Sequence, residues 1–188
     1  KDRDSAHNQF TSMQDELQLL DAVIHTLGAS GIQAYVLDAV IDQFNENVRS
    51  TLSSAWPNLT YELLSFKENK TGALSTRFSE SIFMDSSPRS IGALSGGELR
   101  CLSIAIDIAL IKTFQMYAGF IPSPVILDEP FDHMDSSNRE RAITILQLFS
   151  QDTLTIVVDH DCSTKGLYDQ IIQVDKRNGL TSATIDKI

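Results

Sequence analysis

The stretch Pro124-Val125-Ile126-Leu127-Asp128-Glu129-Pro130 decides how the rest of the sequence reads. A short apolar run predicts a strand, and the proline after the two acids stops it. Asp128 and Glu129 therefore stand together at the carboxyl edge of a sheet, where open α/β sheets bind their ligands. One carboxylate there can hold Mg²⁺, directly or through water. Its neighbour can orient a water molecule and take its proton. A solvated strand end is the plain alternative, and two acids directly after buried residues argue against it.

Upstream, Leu94-Ser95-Gly96-Gly97-Glu98 runs straight into a long apolar segment, Leu99 to Tyr117, which predicts a helix buried on most sides. Two glycines let backbone approach a ligand closely, and the free N–H groups of a helix start favour an anion such as phosphate. A serine cap with a glutamate in the first turn fits the same residues, and local physics alone does not choose between the two. Downstream, Phe131-Asp132-His133-Met134-Asp135 precedes a predicted helix capped by Ser136 or Ser137 and running to about Phe149. Ile143, Leu146 and Phe149 should face inward. Thr153 to Val158 then predicts a buried parallel strand, and Val157-Val158-Asp159-His160 brings a histidine to the same sheet edge, placed to sense a phosphate. A hydrolytic metal site built from Asp128, Asp132, His133 and Asp135 is a poor alternative, because residues of one turn rarely converge on one ion.

The first half supplies no such chemistry. Phe10, Met13, Leu17, Leu20, Ile24 and Leu27 follow the 3-4 spacing of a coiled-coil seam, which an ordinary amphipathic helix also shows. Gly28 and Gly31 bracket a break. A second helix with Tyr35, Leu37, Ile41, Phe44 and Val48 among its apolar positions ends before Pro57. Strands are expected over 60–66 and 74–83, joined by a polar loop over 67–72, with a further loop over 86–92. Near the C-terminus, apolar runs flank Lys176-Arg177-Asn178-Gly179, a hairpin signal. Alternating strand and helix in the second half predicts an α/β class with a parallel-rich sheet flanked by helices.

The order of Ser-Gly-Gly-Glu, long helix, strand with Asp-Glu-Pro, aspartate, helix, strand and histidine resembles the ABC ATPase family from Ile91 to about Asp161. The resemblance implies ATP and Mg²⁺ as ligands. It makes Ser95, Gly96 and Gly97, with Glu98 beside them, the signature motif that meets the γ-phosphate of ATP on an opposing head. Asp128 matches the Walker B aspartate associated with Mg²⁺, Glu129 the catalytic glutamate, Asp135 the D-loop aspartate and His160 the switch histidine. Met134 stands where the family usually has leucine, and Glu98 where transporters usually have glutamine. No G-x-x-x-x-G-K-[ST] loop occurs in the chain, so the phosphate-binding lysine and the Mg²⁺-ligating hydroxyl must come from elsewhere.

That gap, with a heptad-patterned helix upstream, resembles the SMC and recombination-ATPase branch, whose head is split into two lobes by a coiled coil. Gly31 to Leu37, with Ile41 and Asn45, is similar to the entry of the returning coil in double-strand-break-repair ATPases. The expectation is a C-terminal lobe of an ABC-type head over 29–188, with 1–28 as the coiled-coil root. Alone it should be inactive. Its implied partners are an N-terminal Walker A lobe, a second head in an ATP-dependent dimer, a nuclease subunit and, through the assembly, DNA. A chromosome-organising SMC head shares every motif, and a transporter ATPase fits less well.

Bulk properties agree with an intracellular setting, cytoplasm, nucleoid or nucleus. The net charge of −10 argues against strong nucleic-acid binding by this segment alone. Two distant cysteines, Cys101 and Cys162, form no disulfide framework, Lys1 to Ser5 lack the apolar stretch of a secretory signal, and no run of eighteen apolar residues predicts a membrane span.

Overall fold

The computed structural model describes residues 2–28, 31–68, 75–120, 122–160 and 166–187. Leu74, Cys162 and residues 69–72 of the polar loop lie outside them. α1 (Asp2–Leu27) and α2 (Ile32–Ser53) are the two predicted helices. The heptad residues of α1 are all exposed, so nothing among the described residues covers that seam. α2 buries Ala34, Ile41, Phe44, Val48 and Leu52 and leaves Tyr35 exposed.

β1 (Leu59–Glu68) and β2 (Ser75–Met84) pair antiparallel, and β1 is tied to α2 by Asn45. The Asn45 amide donates to the Leu63 carbonyl at 2.9 Å and accepts from the Leu63 N–H at 2.8 Å, filling both sites of one strand residue. The loop expected over 86–92 instead contains β3 (Ser87–Arg89), which pairs with β2. Asp85 and Ser86 take φ of 50° and 62°, the left-handed pair of a two-residue hairpin turn. Pro88 is tolerated because β3 is a sheet edge. A short 3₁₀ turn, Ile91–Ala93, leads into the next helix.

α3 (Gly96–Ala118) is the centre of the core and packs against both α2 and α4 (Ser136–Ser150). Cys101, Leu102, Ala105 and Ala109 have no exposed surface, and Thr113 links α3 to α2 through Asn47 at 2.9 Å. The helix is nevertheless not buried on most sides. Leu110, Phe114 and Tyr117 are each more than half exposed, on the side of α3 away from its buried residues. By length and a mean hydropathy of 1.4, α3 passes the composition test for a membrane span that the residue-by-residue reading excluded, yet its fully buried face marks it as a core helix.

β4 (Val125–Asp128), α4 and β5 (Thr155–Val158) form one βαβ unit, with β4 and β5 parallel and Asp128 opposite Val158. This is the predicted parallel pair, while the other two sheets are antiparallel. β5 is not fully buried as expected. Val125, Leu127 and Val157 pack on the core, whereas Ile126, Ile156 and Val158 face out. Along α4, Ala142, Ile145, Leu146 and Phe149 are buried and Ile143 is half-buried. The C-terminal hairpin is as predicted: β6 (Gln170–Arg177) and β7 (Leu180–Lys187) flank Asn178-Gly179, both with positive φ.

Burial pushes the Cys101 thiol up to about 11, against a smaller pull from Arg141. Its thiolate fraction near neutral pH should be roughly a hundredfold below that of a free cysteine. In a Cys162→Ser background the folded chain should therefore resist a disulfide reagent at pH 8 and react fully once denatured. Rapid labelling of the native protein would contradict this packing.

Candidate functional site

The residues singled out in the second half lie at the ends of helices and strands or on the loops beside them: Gly96, Gly97 and Glu98 open α3, Asp128 ends β4, and Ser95, Glu129, Asp135 and His160 stand just outside these elements. Ser95 is the N-cap of α3 in a full capping box. Its hydroxyl accepts from the Glu98 N–H at 3.3 Å, and its own N–H donates to the Glu98 carboxylate at 2.8 Å. The serine-cap alternative is thus realised locally, and it leaves Ser95 and Gly96 exposed at the helix start, with Gly97 and Glu98 half-buried.

The two glycines differ. A Cβ on Gly96 would meet nothing within 4 Å, so its surface is open to a ligand. A Cβ on Gly97 would come within 3.1 Å of the Asn138 amide nitrogen and 3.6 Å of the Met134 Cα. The first turn of α3 therefore rests on the loop that starts α4.

That loop is capped by Asp135, not by Ser136 or Ser137. The Asp135 carboxylate accepts from the Asn138 N–H at 2.8 Å and from its side-chain amide at 3.1 Å. An ionised carboxylate is the stronger acceptor there and also suits the positive end of the helix dipole. His133, at φ 60°, and Asp132 pair with each other at 3.1 Å on the exposed rim.

Glu129 continues the β4 ladder, its N–H donating to the Val158 carbonyl at 2.9 Å. It then turns sharply with φ of 47°, a left-handed conformation that costs a non-glycine residue about 1 kcal/mol or more. The Arg100 guanidinium reaches across from α3 to the Glu129 and Pro130 carbonyls at 3.3 and 3.4 Å, holding that turn. Arg100 was not foreseen, since only the packing of α3 under β4 brings it there. The side chain of Glu129 meets His160 Nε2 at 2.9 Å. The parallel register of β4 and β5 causes this, because it brings the residues following Asp128 and Val158 to one sheet edge. Asp128 is exposed and borders a small cavity of about 90 Å³ that Arg100 and Asp107 also line.

Among the described residues no cluster of three or more His, Cys, Asp or Glu side chains could hold a metal by itself, which disposes of the Asp128, Asp132, His133, Asp135 alternative. A lone carboxylate at a strand end suits Mg²⁺ that arrives with phosphate oxygens and water.

Residues 78–147 match the SbcC/RAD50-like Walker B family model. The chain has the fold of an SMC/Rad50-like ATPase head lobe. Relatives by sequence include the DNA double-strand break repair Rad50 ATPase of Thermococcus kodakarensis, 36% identical over 92 residues, covering 48% of this chain and 10% of that protein. The Rad50 ATPase of Saccharolobus solfataricus is 27% identical over 164 residues, 84% of this chain and 18% of that protein. The lobe thus spans about a tenth to a fifth of the length of these relatives. Among solved structures, the Smc head domain with an extended coiled coil from Pyrococcus furiosus, bound to the C-terminal domain of ScpA, matches 98% of this lobe and 45% of that chain at a TM-score of 0.66 and 19% identity. A structure from work on ATP-driven dimerisation and DNA-stimulated activation of SMC ATPases matches 81% of the lobe and 89% of that chain at 0.64 and 19%.

Loss of the Asp135 cap should cost the isolated lobe about 1 kcal/mol, a fall in Tm of about 2–4 °C for a chain of this size. Asp135→Ala followed by circular dichroism should show that drop, and an unchanged melt would mean the cap is not holding α4.

Proposed function

We propose that the lobe is the C-terminal half of an ATP-hydrolysing head in a Rad50-like DNA-repair ATPase, one that dimerises around ATP and governs DNA-end processing by a partner nuclease. The observation that carries this reading is the Glu129–His160 pair at 2.9 Å, set at the carboxyl edge of a parallel pair beside an exposed aspartate. A base and a phosphate-sensing donor are what nucleotide hydrolysis needs at that edge.

In this reading Asp128 is the residue that would hold Mg²⁺, and the bound ion would supply positive charge beside the transferred phosphoryl group. Glu129 orients the attacking water and takes its proton. His160 donates from Nε2 to Glu129 in the isolated lobe. A γ-phosphate competes for that donor, which releases the carboxylate to act as the base. Ser95, Gly96 and Gly97 offer an open helix start to the γ-phosphate of ATP on a second head, with Glu98 fixing the turn and Asp135 fixing the neighbouring loop.

An N-terminal Walker A lobe is required by the same reading. β4 and β5 make a two-stranded parallel sheet whose outer face exposes Ile126, Ile156 and Val158. Parallel sheets are covered on both faces, and two strands alone are too few. The absence of a phosphate-binding loop from the sequence and the two-stranded size of this sheet among the described residues support a partner lobe, in the same protein or a separate chain. α1, with its uncovered heptad seam, serves as the root of the coiled coil, and residues 29–188 as the lobe proper. DNA is engaged through the assembly, inside the cell wherever the chromosome lies.

The repair assignment rests on sequence, where the named relatives are Rad50 ATPases; the SMC heads, at 19–21% identity, support the fold alone. Co-purification of the full-length protein with a kleisin-like subunit in place of a nuclease would move the assignment to chromosome organisation.

Glu129→Gln in the complete head should retain ATP binding, slow hydrolysis by at least about a hundredfold and accumulate a closed dimer visible by light scattering. Unchanged steady-state turnover would remove Glu129 from the chemistry. Ser95→Arg should abolish ATP-dependent association by filling the space for the γ-phosphate, and dimers that persist would argue against contact across the two heads.

A further inference from the structure

Asn138 is 3% exposed, one of the few polar side chains in the core, and it touches two of the proposed nucleotide-facing loops at once. Its amide nitrogen donates to Asp135 Oδ2 at 3.1 Å, and its amide oxygen accepts from Arg141 Nη1 at 2.8 Å. Exchanging nitrogen and oxygen would turn an acceptor toward a carboxylate and a donor toward a guanidinium, so only one orientation satisfies both neighbours. Arg141 is itself held, its guanidinium lying 4.6 Å from the centre of the Trp56 ring. Trp56 is buried between α2 and β1. The amide is thus held from two sides, and a Cβ on Gly97 would press to within 3.1 Å of its nitrogen.

We infer that Asn138 is a positioning residue that sets the spacing between the signature loop at Ser95–Gly97 and the Asp135 loop, and that Gly97 is glycine to admit it. The inference rests on the nucleotide-binding reading above for its functional consequence, while the contact itself does not depend on that reading. Two loops that must meet one nucleotide from neighbouring directions need a fixed separation, and a hydrogen-bonded amide wedged between them supplies it. The glycine pair thereby divides its work. Gly96 leaves room for a ligand, and Gly97 leaves room for Asn138. The line Gly97, Asn138, Arg141, Trp56 also runs from the loop to the far end of α2, so the spacing is referenced to the packed core.

A double-mutant cycle tests the contact. Gly97→Ala should displace the Asn138 amide by a few tenths of an ångström, strain its bonds to Asp135 and Arg141 and lower the melting temperature of the 188-residue chain. Asn138→Ala should also lower it. In the double variant the new methyl group meets only ordinary contacts at 3.6 and 3.7 Å, so the melt should lie clearly above the additive value. Strictly additive shifts would overturn the contact. The functional arm uses the full-length protein, well below every variant's melting point. Asn138→Ala should raise the ATP concentration for half-maximal head association about tenfold, and the Gly97→Ala defect should be partly relieved by adding Asn138→Ala. An unchanged midpoint would overturn the positioning role even with a coupled melting cycle. If the unmodified protein shows no ATP-driven association, the nucleotide reading fails, and the melting cycle still decides whether Asn138 and Gly97 are coupled.

Discussion

Close packing of α3 on its two neighbours is the constraint from which the rest of the arrangement follows. Cys101, Ala105 and Ala109 on α3 and Ala142 on α4 have no exposed surface, and small side chains at such positions let helix axes approach closely. A larger residue at any of them would lift α3 and with it the Ser95 cap, the Gly97 contact and the reach of Arg100 to the turn at Glu129. The site is therefore an outcome of core geometry. Its loops carry few bonds of their own and take their positions from helix ends that cannot move without opening the interior.

Much of this was legible from residues whose physics is local. The apolar strand closed by Asp128, Glu129 and Pro130 and the Asn178-Gly179 turn each carry their own signal and stand where expected, while α3 begins at Gly96, three residues ahead of the expected Leu99. What escaped depended on neighbours distant in sequence. Asp135 outcompetes two adjacent serines as a cap because its carboxylate also reaches the Asn138 amide. β3 was missed because Asp85-Ser86 is an unusual hairpin pair, and Pro88 hides an edge strand. Arg100 and Asn138 look like ordinary helix residues until α3, β4 and α4 are brought together. The expected burial of α3 and β5 was too generous for a related reason: apolar composition shows that a face will be covered but not by which chain.

The uncovered apolar surface divides into regions with different meaning. The seam of α1 is a narrow stripe at 3-4 spacing, suited to one partner helix. The outer face of β4 and β5 is flat and carries open strand edges, which only further strands and a covering layer satisfy. The stripe at Leu110, Phe114 and Tyr117 lies on the side of α3 away from its buried residues. An isolated lobe exposing all three should be prone to self-association, and strand edges make that risk greatest at the sheet.

Trp56 gives the arrangement an optical consequence. It is the single tryptophan of the chain, and a guanidinium lies over its ring. Indole emission responds to a nearby cation and to its withdrawal. Because that cation is joined to Asn138, and Asn138 to the Asp135 loop, a rearrangement of that loop would be transmitted to a buried fluorophore without any label. The protein carries its own spectroscopic window onto the junction between its two proposed contact loops.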